Sequence, residues 1–132
     1  MALLKRVLYL QAGVTALLGV ALLALPKFVL ISLFGQAPHP EYAWVRISGI
    51  EALGLAMFMV LVAHRAAEVW WWSWAFVIVT GFIAVIAAFN ALIGLPDGAS
   101  PVLWWLLAGG NAGFCVALLW GLGRTGQERP LP

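Results

Sequence analysis

Residues 42–63 read YAWVRISGIEALGLAMFMVLVA, and this stretch decides the fold class. A helix needs about 20 mostly apolar residues to cross the hydrocarbon core of a bilayer. The stretch has that length and contains only two charged residues, Arg46 and Glu51. It therefore predicts a transmembrane helix, and its two charges require a separate explanation.

The composition of the whole chain agrees with a membrane location. The chain has 132 residues, of which 64% are hydrophobic and 9% are charged, whereas a soluble domain is about half apolar and a quarter charged. A chain of this size cannot bury so much apolar surface and still present a polar exterior. The basic residues are scattered, which argues against a nucleic-acid partner, and the lone Cys115 excludes an internal disulfide and a CxxC motif.

Four apolar runs are long enough to span a bilayer, and they predict an all-α fold with one domain. The runs are residues 7–25, 42–63, 70–95 and 102–122, followed by a short tail at 123–132. A cleaved signal peptide is the competing interpretation of the first run, but its apolar stretch is longer than usual for one. The segment between the first two runs predicts a short interfacial helix or re-entrant turn, or a continuation of the first helix bent at Pro26.

The distribution of Lys and Arg predicts the orientation. The side that holds both termini carries five basic residues, and the opposite loops carry one, Lys27. The five are Lys5, Arg6, Arg65, Arg124 and Arg129. Because cytoplasmic loops are enriched in Lys and Arg, we expect a multi-pass protein of the inner (plasma) membrane with both termini in the cytoplasm.

Tryptophans cluster at the predicted helix ends, as they do in the aromatic belts of membrane proteins. We expect interfacial anchors at the outer ends and at the inner ends, although a ligand-stacking cage is an alternative for the WWWSW run. Arg46, one turn into its helix, is expected to reach the outer headgroups as a further anchor. The tryptophans are Trp44, Trp104 and Trp105 on the outer side and Trp70, Trp71 and Trp72 on the inner side.

Glu51 is the exception, because its depth places it near the middle of the bilayer. An acidic residue there costs about 2.5–3.5 kcal/mol and is tolerated when it faces protein, accepts or donates hydrogen bonds, or is protonated. Two interpretations stay open: a structural clamp that binds Asn111 or Thr15, and the floor of an outward-opening cavity for a proton, cation or polar ligand. The ligand-binding candidates are Glu51, Asn111, Ser48, Thr15 and Thr80; Gln11 lies nearer the inner end and is not included.

The stretch WVRISGIEALGLAMFMVLVA at 44–63 resembles small bacterial four-helix membrane proteins of the DoxX-like kind and related uncharacterised families. In those families an arginine and glycines also lie at the start of the second helix. The resemblance implies a four-helix membrane fold, and it implies neither a defined activity nor a role for any residue.

The sequence contains no catalytic triad, metal-ligand spacing or phosphate loop, so no cofactor or metal is expected. The leading hypothesis is a non-catalytic membrane protein, either an accessory or assembly subunit of a larger complex or a homo-oligomer, in contact with lipid and other membrane subunits. The alternative is a small transporter or binder centred on Glu51. The third hypothesis is a membrane enzyme that uses Glu51 as an acid or base.

Overall fold

The computed structural model of the protein describes residues 1–129, and every regular element in this part is helical. Four spans are long and apolar enough to cross a membrane, which confirms the predicted all-α fold. The elements are α1 (Ala2–Ala24), α2 (Ala43–His64), α3 (Ala66–Val69), α4 (Ser73–Ile93) and α5 (Val102–Glu128), with a π-helical segment at Phe28–Leu33 and a 3₁₀ turn at Trp70–Trp72.

The helix ends follow from local chemistry. α1 ends before Pro26, since proline disfavours the helical conformation in the residue that precedes it, and Leu25 has left that conformation with φ −131°. The π-helical segment then occupies the place where a short interfacial helix was predicted. The third span is continuous through α3, the 3₁₀ turn and α4 (Ala66–Ile93). α5 extends to Glu128, so most of the described part of the 123–132 tail is helical.

The helices form two hairpins that join side by side. α1 packs extensively on α2, and α4 packs extensively on α5; the hairpins meet mainly between α1 and α5, with a minor contact between α2 and α4. The core lies at the end that holds both termini, where the Met1 amino group is 3.5 Å from the Glu128 carboxylate. Its fully buried side chains include Leu4, Leu8, Met59, Phe76 and Leu118.

Glycines set the two closest helix crossings. A Cβ on Gly49 would lie 2.7 Å from the carbonyl oxygen of Gly19, and one on Gly19 would lie 2.8 Å from that of Gly49. The backbones of α1 and α2 therefore touch, as small residues allow in membrane bundles. Gly121 allows a similarly close approach between α1 and α5, where the two hairpins meet, since an added Cβ would be 3.1 Å from the Cα of Leu4.

At the end away from the termini, the connecting segments close over the bundle. The Trp104 indole N–H donates to the carbonyl oxygen of Phe34 at 2.9 Å, and the two rings stack edge to face with centroids 5.0 Å apart. Gly35 follows with φ +65°, and a Cβ there would meet Ala99 at 2.9 Å. The segment after α1 is thus fixed to α5 and to the loop that precedes it.

We expect Gly49→Ala to lower the free energy of unfolding in detergent by about 1–3 kcal/mol, because the new methyl group meets a backbone carbonyl that cannot move without separating the helices. The matched control is Gly54→Ala on the same helix, where nothing lies within 4 Å of the added Cβ. Unfolding by sodium dodecyl sulfate titration measures both. Equal stability of the two variants would mean that α1 and α2 do not cross at Gly49.

Candidate functional site

A cavity of about 240 Å³ lies between the four long helices. α1 contributes Gln11 and Thr15, α4 contributes Thr80, α5 contributes Asn111, and α2 contributes apolar side chains such as Leu55. Three of the five predicted ligand-binding residues, Thr15, Thr80 and Asn111, are therefore brought together. No charged residue lines this cavity, so it suits an uncharged molecule.

The cavity lies at middle depth in the bundle, and some of the side chains that line it are exposed. Val14 on α1 and Leu106 on α5 both line it, and they are 49% and 63% exposed. The crossing at Gly121 holds α1 and α5 together near the termini, and the cavity lies beyond that crossing. A molecule could enter from the hydrocarbon region of the membrane.

Hydrogen bonds within single helices occupy two of the polar groups in the cavity. The Thr80 hydroxyl donates to the carbonyl oxygen of Phe76 at 2.7 Å, and the Asn111 side-chain amide donates to that of Leu107 at 2.9 Å. Threonine and asparagine commonly bond back to their own helix in this way. Both side chains therefore retain acceptor capacity toward the cavity.

Gln11 is the polar residue of this cavity that the sequence analysis did not include. It is 2% exposed, and its Oε1 atom has no hydrogen-bond partner among the described residues. A buried carbonyl oxygen without a donor costs about 1–3 kcal/mol, and this oxygen belongs to a residue that lines the cavity. The sequence does indicate that Gln11 can line the same cavity as Thr15, because Gln11 is four residues before Thr15 and residues at i and i+4 share a helix face.

Glu51 lies outside the cavity. Its side chain is exposed, about 12 Å along α2 from Ala43 at 1.5 Å per residue. Four residues turn a helix by about 400°, which places Glu51 about 40° around α2 from the cavity-lining Leu55. The expected hydrogen bonds to Asn111 or Thr15 are not formed in the part of the chain that the structure describes.

The surroundings of Glu51 identify the side of the bundle that it faces. Phe58 is seven residues after Glu51 and lies nearly in line with Glu51 along α2. The centroid of the Phe58 ring is 5.6 Å from that of Phe76 and 5.7 Å from that of Trp72, both in the second hairpin. Glu51 thus lies toward the α4 side of α2, and its side chain is exposed there. Ser48 is one turn away, exposed, and donates to the Trp44 carbonyl oxygen at 3.0 Å.

The predicted anchors divide into exposed and buried side chains. Trp44 and Trp105 are exposed at one end of the bundle and Trp71 and Trp72 at the other, where headgroup anchors would lie. Trp104 is half-buried against Phe34. Trp70 is only 6% exposed and belongs to the core, where it packs beside Gly126. Trp70 therefore stabilises the junction of the helices from inside.

Arg46 is exposed one turn into α2, with no carboxylate within 4.0 Å among the described residues. It lines a small pocket together with Lys27. In residues 1–129 no three His, Cys, Asp or Glu side chains cluster as metal ligands. The polar groups of the bundle interior can donate and accept hydrogen bonds, and its neutral lining offers no charged acid or base.

Comparison of this chain with models of protein families, with curated protein sequences and with solved structures finds no match. The chain is a small four-span membrane protein on the evidence of its own helices.

We expect Gln11→Met to raise the free energy of unfolding in detergent by about 1–3 kcal/mol, because it removes a buried carbonyl oxygen that lacks a donor while keeping the volume of the side chain. Thr80→Val, which removes a hydroxyl that is already bonded within α4, is the control and should lower it by about 0.5–1 kcal/mol. A loss of stability in Gln11→Met would show that the amide oxygen accepts a hydrogen bond from a molecule held in the cavity.

Proposed function

We propose that the protein is a non-catalytic subunit of a membrane assembly, and that it associates with other helices through the α2 face that carries Ser48 and Glu51. The observation that carries this proposal is the position of Glu51, which is exposed on a helix long and apolar enough to span a membrane and forms no ion pair within residues 1–129. A carboxyl group that faces hydrocarbon is costly, so such residues almost always face protein or water. Here Glu51 would face a helix that lies outside this bundle.

The proposed partner is a second copy of the chain, because the residues that it would present are known. Copies in one membrane share one orientation, so a two-fold axis along the membrane normal places each Glu51 at the depth of its counterpart. The Glu51 carboxyl group of one copy can then hydrogen-bond to that of the other copy or to the Ser48 hydroxyl. The Ser48 hydroxyl donates its proton to the Trp44 carbonyl oxygen, and its own oxygen can still accept a hydrogen bond. Ile47 and Ile50, which are exposed on one side of Glu51 around the helix, would supply apolar contact.

We expect Glu51→Leu to weaken self-association in proteoliposomes by about 1–2 kcal/mol, the magnitude of an interhelical hydrogen bond in a membrane. Glu51→Gln keeps hydrogen-bonding atoms at the same place and should largely preserve it. Energy transfer between donor- and acceptor-labelled protein measures the association.

Cysteine cross-linking tests the same interface, in protein whose Cys115 is replaced by alanine. Ser48→Cys should form an intermolecular disulfide, whereas Met57→Cys should not, because nine residues place Met57 on the opposite side of α2. Cross-linking at Met57 alone, or association of Glu51→Leu as strong as that of the wild type, would contradict assembly through this face.

A second candidate function is the binding of a small uncharged molecule in the central cavity, and the unpartnered Gln11 oxygen favours it. It replaces the binder centred on Glu51, since Glu51 does not line the cavity. A ligand with a hydroxyl or N–H group would pair with Gln11 while its apolar part contacts Leu55 and Phe114. The stability comparison of Gln11→Met with Thr80→Val separates this candidate from an empty cavity.

We place the protein among the DoxX-like bacterial membrane proteins, supported by the stretch at 44–63, and in the inner membrane. The Lys and Arg count supports cytoplasmic termini. The ion pair between Met1 and Glu128, and the hydrogen bond from Arg129 to the Ala67 carbonyl oxygen, put the termini and the 65–69 connection at one end, as this orientation requires.

We expect a membrane-impermeant thiol reagent, added to intact cells, to label Asp97→Cys and to leave Gln127→Cys unlabelled. Both positions are exposed, at opposite ends of the bundle, and Cys115→Ala removes the native thiol. Permeabilised cells should label both variants. Labelling of Gln127→Cys and protection of Asp97→Cys in intact cells would reverse the orientation.

A further inference from the structure

A pocket of about 290 Å³ lies at the end of the bundle away from the termini, between the end of α1 and the start of α2. Two cationic side chains line it, Lys27 and Arg46, and both are exposed. No carboxylate lies within 4.0 Å of either one among residues 1–129. The pocket is therefore positively charged, and the described part of the chain leaves that charge unneutralised.

Tyr42 positions the two cations around one space. Its ring is largely buried, and its hydroxyl accepts a hydrogen bond from the His39 backbone N–H at 3.1 Å. The Lys27 Nζ atom lies 5.6 Å from the centre of this ring. Arg46 is four residues further along, so it lies one turn away on the same side of the chain. Both side chains thus flank the fixed ring.

The nearest acidic residue in the sequence is occupied elsewhere. Glu41 accepts a hydrogen bond from the backbone N–H of Ala43, the first residue of α2, at 3.0 Å. The pocket also has an apolar side, where Leu25 and Phe28 are more than half exposed. Positive charge beside exposed apolar side chains, at the end of membrane-spanning helices, matches the two chemical parts of a phospholipid.

We propose that this pocket binds the phosphate group of a phospholipid, with Lys27 and Arg46 on the phosphate and the acyl chains along Leu25 and Phe28. Basic pockets between transmembrane helices are known to hold lipid phosphates. Lysine contributes a point charge and arginine a planar set of donors, and both bind phosphate well. The binding does not depend on the association of α2 with another helix.

Native mass spectrometry of the detergent-purified protein tests the proposal with dioleoyl phosphatidylglycerol as the probe. Lys27→Gln and Arg46→Gln should each weaken its binding about fivefold, and the double variant about 25-fold, from the usual contribution of one basic residue near a phosphate. Lys27→Arg and Arg46→Lys should bind like the wild type. The control is Arg6→Gln, which removes an exposed positive charge at the other end of the bundle and should have no effect.

Two further probes identify the source of the phosphate. Dioleoylglycerol, which has the same acyl chains and no phosphate, should bind at least tenfold more weakly than phosphatidylglycerol, and so should glycerol 3-phosphate, which lacks the chains. Equal binding of dioleoylglycerol would make the site an apolar groove, and equal binding of glycerol 3-phosphate would make it a site for a soluble anion. Equal losses in Arg6→Gln and Arg46→Gln would mean that only net charge attracts the lipid. Each of these results would overturn the proposal.

Discussion

The contact between Gly19 and Gly49 is the constraint on which the rest of the structure depends. Lipid tails are as apolar as leucine, so helices in a membrane gain little from apolar burial and associate through close packing and hydrogen bonds. Two backbones that touch at a pair of glycines gain that packing without a side chain between them. α1 and α2 are thereby fixed as a hairpin, and Gly121 against Leu4 then sets where the second hairpin joins.

The central cavity lies between two places where the hairpins contact each other. The core of Leu8, Met59, Phe76 and Leu118 fills the half of the bundle near the termini. At the far end of the bundle, the Phe34–Trp104 hydrogen bond joins the two hairpins again. The space between is lined by side chains from all four long helices, and the unpartnered oxygen of Gln11 faces a region that the chain itself does not fill.

The charged residues of α2 divide according to depth. Arg46 is near the end of the helix, where a long side chain reaches headgroups, and it is available to lipid phosphate together with Lys27. Glu51 is more than a turn deeper, on another face, and its short side chain cannot reach water from there. One helix therefore carries a residue suited to lipid and a residue suited to protein, and the proposed lipid pocket and the proposed assembly face are separate surfaces.

The sequence by itself determined the number of membrane spans, the all-helical class and the helical segment after α1, because these depend on the length of apolar runs and on Pro26, which are local properties. It also grouped Thr15, Thr80 and Asn111, since equal depth in neighbouring helices follows from counting residues. It could not determine which way Glu51, Trp70 or Gln11 faces, because an apolar helix in a membrane has no polar side to indicate its rotation. The rotation is decided by where glycines let backbones meet, and that depends on pairs such as Gly19 and Gly49 that are 30 residues apart. Gly54, on the same helix, has nothing near it, although by sequence alone it was as good a contact residue as Gly49.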